Sequence, residues 1–128
     1  MRLSRAGMIG LMQSYFDRVD AHDLEGVLAL LTEDCLVRIE TAGLEHAGRD
    51  QGVRGMFARL FAAYPAIRHE PFAWVVDEEA ERIACQLRVV NTAPDGVAHH
   101  KRNSSFYHLR DGRIGFAGIY MSGENALV

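Results

Sequence analysis

The chain changes its hydrophobic period near the midpoint, and that change constrains the fold more than any single motif. Up to Tyr64, apolar residues recur at the spacing of one face of an α-helix. From Ile67 onward the texture becomes strand-like, rich in Val, Ile, Phe, Trp and Tyr. Helices first and strands afterwards is the pattern of an α+β domain, with helices gathered on one face of an antiparallel sheet.

In the first half, Met8, Met12, Tyr15 and Val19 form one stripe flanked by Ile9 and Phe16, which predicts a helix from about Ser4 to Ala21. A second helix begins with Asp23 as N-cap and carries Leu24, Val27, Leu28 and Leu31 at i, i+3, i+4 and i+7. A third follows Asp50 with Val53, Met56, Phe57, Leu60, Phe61 and Tyr64, and Pro65 stops it. Gly52 and Gly55 weaken its first turns, so tertiary packing must hold them. Between the second and third helices, "TEDCLVRIE" (32–40) reads as a short strand. Cys35, Val37 and Ile39 alternate onto one face, Leu36, Arg38 and Glu40 onto the other. Segments 67–77, 81–93, 97–110 and 113–122 read as four long antiparallel strands joined at "DEEA", "APDG" and "RDG". Pro71 predicts a bulge or an edge position. Helices on a strongly curved sheet enclose a cone, a shape suited to a pocket.

With 128 residues and 48% apolar content, one domain over residues 1–128 is expected. A net charge of −3, without basic runs, argues against nucleic acid, whose phosphates call for a basic stripe. The opening "MRLSRAGMIGLMQSYF" has helical spacing instead of a continuous apolar run, and no stretch is long enough to span a membrane. Cys35 and Cys85 lack metal-ligand spacing and read as reduced core thiols of a cytoplasmic protein. Phosphate-loop, dinucleotide, esterase and zinc-protease motifs are not found, and no cofactor is expected. In "AHHKRNSSFYH" (98–108), His99 and His100 point apart, so no metal site is expected there. Lys101, Asn103, Ser105 and Tyr107 share one face, and Asn103, Ser105 and Tyr107 would give a cavity a polar wall.

Three stretches carry a family likeness: "QSYFDRVDAHDLEGVLALLTEDC" (13–35), "AGRDQGVRGMF" (47–57) and "FYHLRDGRIGFAGIYM" (106–121). Together they resemble the nuclear transport factor 2-like (NTF2-like) superfamily, and within it the ketosteroid isomerase and SnoaL-like polyketide cyclase branches. The resemblance implies three N-terminal helices on a strongly curved, mainly antiparallel sheet, a small hydrophobic molecule as ligand, and a homodimer. Tyr15 matches the isomerases' oxyanion tyrosine. Their base position falls on Ile39, whose alkyl chain accepts no proton, and their second donor falls on Ser105. That mechanism is therefore not expected. Tyr15-x4-Asp20, with His69 after the third helix, is similar to what dehydratases of the superfamily use. Each member also has a plain reading: Tyr15 an amphipathic core residue, Asp20 a helix-end carboxylate bonding the next turn, His69 an ordinary strand residue. Phe16, Val37, Ile39, Met56, Phe57, Leu60 and Trp74 are the expected apolar lining, with Asn103, Ser105 and Tyr107 as its polar part. Two functions stand side by side: a cofactor-independent lyase or isomerase acting through Tyr15, Asp20 and His69, and a non-catalytic binding or dimerisation module.

Overall fold

The structure, a computed structural model, describes residues 1–128. Ser4 caps helix α1 (Arg5–Asp20): its hydroxyl accepts from the Gly7 N–H at 3.1 Å. The expected stripe of Met8, Met12, Tyr15 and Val19 is buried, as is Phe16 at its flank, while Ile9 on the other flank is half-buried. Asp23 caps α2 (Leu24–Leu28) in the same way, accepting from the Gly26 N–H at 3.0 Å. This second helix is shorter than its spacing predicts. Leu31 leaves it to open strand β1 (Leu31–Ile39), where it pairs with Ile114. Either conformation buries a leucine, so side-chain periodicity alone cannot separate them.

A strand that the sequence did not announce follows: β2 (Leu44–Ala47), antiparallel to β1, with only His46 of its four residues buried. Such a short segment carries too little alternation to read. The chain then enters a π-helical stretch (Gly48–Val53) that runs into α3 (Arg54–Ala63). A Cβ at Gly52 would stand 2.8 Å from the Ala47 carbonyl oxygen, so the wide turn demands glycine there. Tyr64 turns extended ahead of Pro65 and ends the helix.

Strands β3 (Ala66–Asp77), β4 (Arg82–Thr92), β5 (Ala98–Arg110) and β6 (Arg113–Met121) form successive hairpins. All six strands make one sheet, ordered β2-β1-β6-β5-β4-β3, in which only β1 and β6 pair parallel. Pro71 lies on the edge strand β3, beside a register shift between Pro71 and Ala73, so it occupies an edge and a bulge together. The architecture is the expected α+β cone, three helices on a curved, mainly antiparallel sheet. No helix is long and apolar enough to cross a membrane.

The stretch "TEDCLVRIE" keeps its alternation despite an irregularity between Leu31 and Leu36. Cys35, Val37 and Ile39 are buried; Arg38 pairs with Glu45 at 3.0 Å and Glu40 at 3.7 Å, its guanidinium 5.5 Å from the centre of the Phe116 ring. The two charged residues therefore belong to the outer face. Ile39 is 0% exposed and sits in the core. Placing a carboxylate there should be costly: Ile39→Asp is expected to lose about 3–5 kcal/mol in urea unfolding, the cost of an unpaired buried charge. A loss under about 1 kcal/mol would show that this position has access to water.

Candidate active site

Helix α1 lays Tyr15 and Phe16 over the concave face of the sheet, and α3 adds Phe57 and Leu60 beside them. Below them β4 contributes Leu87, Val89 and Asn91, and β5 contributes Lys101, Asn103, Ser105 and Tyr107. These side chains enclose a cavity with about 40 Å³ of free space. That is room for a few waters, each of which needs roughly 10–15 Å³ of such space. His69, on β3, forms part of its wall.

Asp20 holds His69 twice. Its Oδ1 lies 2.5 Å from the ring Nδ1, and its Oδ2 accepts from the His69 backbone N–H at 2.9 Å. The last residue of α1 is thereby tied to the edge strand, and the imidazole cannot rotate without breaking a charge-assisted bond. With Nδ1–H engaged by the carboxylate, Nε2 is left as the free ring nitrogen. Phe16 stacks on the ring, with centroids 5.1 Å apart and planes inclined by 21°. Tyr15 meets Phe16 at 5.3 Å, Tyr107 at 6.1 Å and Phe57 at 6.3 Å, each edge to face. Burial pushes the phenols of Tyr15 and Tyr107 well above the ordinary tyrosine range, so both remain neutral hydrogen-bond donors. Burial likewise pushes the Cys35 thiol up to about 11 and the Cys85 thiol up to about 12, which leaves neither as a thiolate nucleophile.

Of the residues singled out from the sequence, Tyr15, Phe16, Phe57, Leu60, His69, Asn103, Ser105 and Tyr107 meet at this cavity. Asp20 stands behind His69 instead of on the wall. Val37, Ile39, Met56 and Trp74 do not line it, contrary to expectation. Strand β1 lies outside β6, and Ile119 of β6, the register partner of Ile39, stands on the cavity side. Met56 is one residue before Phe57, about 100° round the helix, and is fully buried in the core. Trp74 follows the bulge, opposite Cys85, and packs on the core away from His69.

The sequence reading passed over Asn91, Lys101 and the C-terminal tail. Strand alternation does put Lys101 on the face of Asn103, but a lysine there reads as surface. The tail has no periodicity to read. Lys101 Nζ donates to the Ser122 carbonyl at 3.1 Å and to that of Glu124. The His46 ring meets the Leu127 carbonyl at 2.9 Å, and Arg59 donates to that of Val128 at 2.9 Å. Ala126 and Leu127 thus close one side of the cavity. Burial lowers the Lys101 ammonium below the ordinary lysine range, against the opposing pull of Glu124. No three His, Cys, Asp or Glu side chains converge where they could hold a metal ion.

A SnoaL-like domain model matches residues 12–115, most of the chain. The chain belongs to the SnoaL-like domain family. Its structural relatives agree. PrhC from Penicillium brasilianum NBRC 6234 superposes with a TM-score of 0.83 at 20% identity, over 92% of this chain and 82% of that one. SalBIII, an epoxide hydrolase/cyclase-like enzyme of pyran ring formation in the polyether salinomycin, gives 0.80 at 17% identity over 90% of both chains. A putative ketosteroid isomerase from Kribbella flavida DSM 17836 gives 0.74 at 17% identity, over 94% of this chain and 81% of that one. At such identities these likenesses establish the NTF2-like fold of this SnoaL-like protein. No curated protein matches the sequence.

The buried phenols set a sign for alkaline behaviour. Because their native pKa values exceed the unfolded value of about 10, the unfolded state releases those protons first. This contribution to stability is complete below pH ~10 and falls away above it. Tyr15 and Tyr107 should therefore add their tyrosinate absorbance at 295 nm only as the protein unfolds, and Tyr15→Phe should remove about half of that step. Ionisation of both in the native protein near pH 10 would contradict the buried, neutral phenols.

Proposed function

We propose that this SnoaL-like protein is a cofactor-independent acid–base enzyme, a lyase of the dehydratase type or an isomerase. Its substrate is a small hydrophobic compound bearing a carbonyl and, for elimination, a hydroxyl on the β-carbon. The observation that carries this reading is the doubly held His69, a wall residue of the cavity that the buried Tyr15 also lines.

In this mechanism the Nε2 lone pair takes the proton α to the carbonyl. The C–H electron pair becomes an enolate, whose oxygen accepts from the neutral Tyr15 O–H. Asp20 stabilises the imidazolium through Nδ1–H. In elimination the enolate re-forms the carbonyl and expels the β-hydroxyl, which takes the proton from Nε2 and leaves as water. In isomerisation the same proton returns to a different carbon. Tyr15 suits the donor role because it stays un-ionised, and the apolar wall strengthens every such bond by excluding water.

A second reading has its own support: Ile39 stands where related isomerases need a carboxylate, and a cavity without a base only binds. Deuterium exchange of the α-protons of cyclopentanone, followed by NMR in D2O, separates the two. The enzyme should accelerate exchange over buffer, and His69→Gln should lower the enzymic rate about 10²–10⁴-fold. Asp20→Asn should lower it as well, with binding of the ketone retained. Exchange at the buffer rate with ketone bound would make the cavity a binding site alone.

The outer face of the sheet supports a homodimer. Phe72, Val75, Phe106 and Tyr120 are exposed there, and their apolar surface is of the kind a second copy covers. Light scattering should give twice 14.3 kDa, and Phe106→Asp should return the monomer mass. A monomer mass for the unaltered chain would exclude this assembly. The free thiols of Cys35 and Cys85 support a reducing, cytoplasmic setting.

A further inference from the structure

Asn91 is a buried polar residue that the acid–base pair does not use. It is 3% exposed and lines the cavity from β4. Its neighbours on that face of the sheet, Ile67 across on β3 and Val89 along β4, are apolar. Its Oδ1 is fully enclosed and accepts from nothing in the protein, and its Nδ2 donates to no protein group. A buried carboxamide left so costs about 1–3 kcal/mol, which leucine at this position would avoid. Packing therefore gives no reason for it. With the oxygen sealed away, Asn91 offers the cavity only its amide N–H groups, and these bond an acceptor.

The register fixes where this donor stands. Ile67 faces Asn91 and His69 faces Val89 across β3 and β4. Asn91 is thus the diagonal neighbour of His69, with Cα atoms roughly 7–8 Å apart, so one small molecule can touch both. Tyr15 lies on the other side of His69. Helix α1 ends at Asp20, which holds the imidazole, and Tyr15 is about 7.5 Å back along the helix axis. There it meets Tyr107, whose partner Ile83 lies at the opposite end of β4 from Asn91. The order along the cavity is Tyr15, His69, Asn91.

A β-hydroxy ketone presents its atoms in the same order: carbonyl oxygen, α-carbon, β-hydroxyl. With Tyr15 at the carbonyl oxygen and His69 at the α-carbon, the group that reaches Asn91 is the hydroxyl. Its oxygen gains negative charge as the C–O bond breaks. A donor already aimed at that oxygen bonds it more strongly in the transition state than in the substrate.

We propose that Asn91 is a catalytic residue of elimination, its amide N–H donating to the departing β-hydroxyl, so that the substrate is a β-hydroxy ketone and the reaction a dehydration. This rests on the acid–base reading of Tyr15, Asp20 and His69. Asn91 itself gives up no proton. The α-C–H electron pair becomes the C=C bond, and the C–O pair leaves with the hydroxyl. That oxygen takes the proton from Nε2 of His69 and departs as water. Isomerisation has no leaving group and no use for a donor at this place.

Two reactions of the whole chain test the proposal: loss of water from 3-hydroxycyclopentanone, and α-proton exchange of cyclopentanone. The unaltered protein should accelerate both. In Asn91→Leu the ratio of dehydration to exchange should fall about 10–100-fold, the loss of one hydrogen bond to a developing charge. In His69→Gln both rates should fall together. The His69→Gln protein also holds the hydroxy ketone without turning it over. There 3-hydroxycyclopentanone should shift the side-chain amide signals of Asn91 in nitrogen-15 NMR, and cyclopentanone should move them less. An unchanged ratio in Asn91→Leu, exchange without dehydration by the unaltered protein, or amide signals that the hydroxy ketone leaves in place would overturn the role of Asn91 and leave the acid–base reading standing. If the unaltered protein accelerates neither reaction, the acid–base reading itself falls, and the role of Asn91 with it.

Discussion

The bond from Asp20 to His69 is the contact on which the rest of the site depends. It joins the last residue of α1 to the edge strand of the sheet, so one carboxylate both shuts the side of the cone and aims the imidazole. An edge strand with a proline bulge has unpaired backbone groups and little to hold it in register on its outer side. The second oxygen of Asp20 supplies a partner to one of those groups, the His69 N–H, and Phe16 of the same helix stacks on the ring. Positioning the ring and stabilising the strand are therefore one interaction seen from two sides.

Around that bond the interior is divided by charge state more than by shape. Tyr15 and Tyr107 are kept neutral by burial, as are the two thiols, so the apolar end holds donors without ions. Lys101 draws the tail across the cavity by donating to the Ser122 and Glu124 carbonyls. Ala126 and Leu127 lie against the free volume of about 40 Å³. A ligand larger than a few waters requires these tail residues or their neighbours to yield.

Much of this was legible in the sequence because periodicity reports burial, and burial decides most of the fold. The stripe of α1, the alternation of β5 and the outward placement of Arg38 and Glu40 all follow from it. Leu31 shows the limit, since a buried leucine satisfies a helix and a strand equally. β2 was too short to announce itself. The partnership of Asp20 with His69 joins residues 49 apart in sequence, and only the resemblance to dehydratases brought them together. Val37 and Ile39 were expected in the cavity because their face points inward; in a sheet this broad, inward is not the same as central. Lys101 was the reverse case, a charged side chain whose face was readable and whose burial was not.

The central claim is that Asp20 fixes His69 in one tautomer with Nε2 unprotonated and available to the cavity. Nitrogen-15 NMR of the imidazole, at a pH where the ring is neutral, reads this directly. The account requires a proton on Nδ1, protected from exchange and lost from that position in Asp20→Asn, with Nε2 bare. A neutral ring protonated on Nε2, or one averaging freely between tautomers, would contradict it.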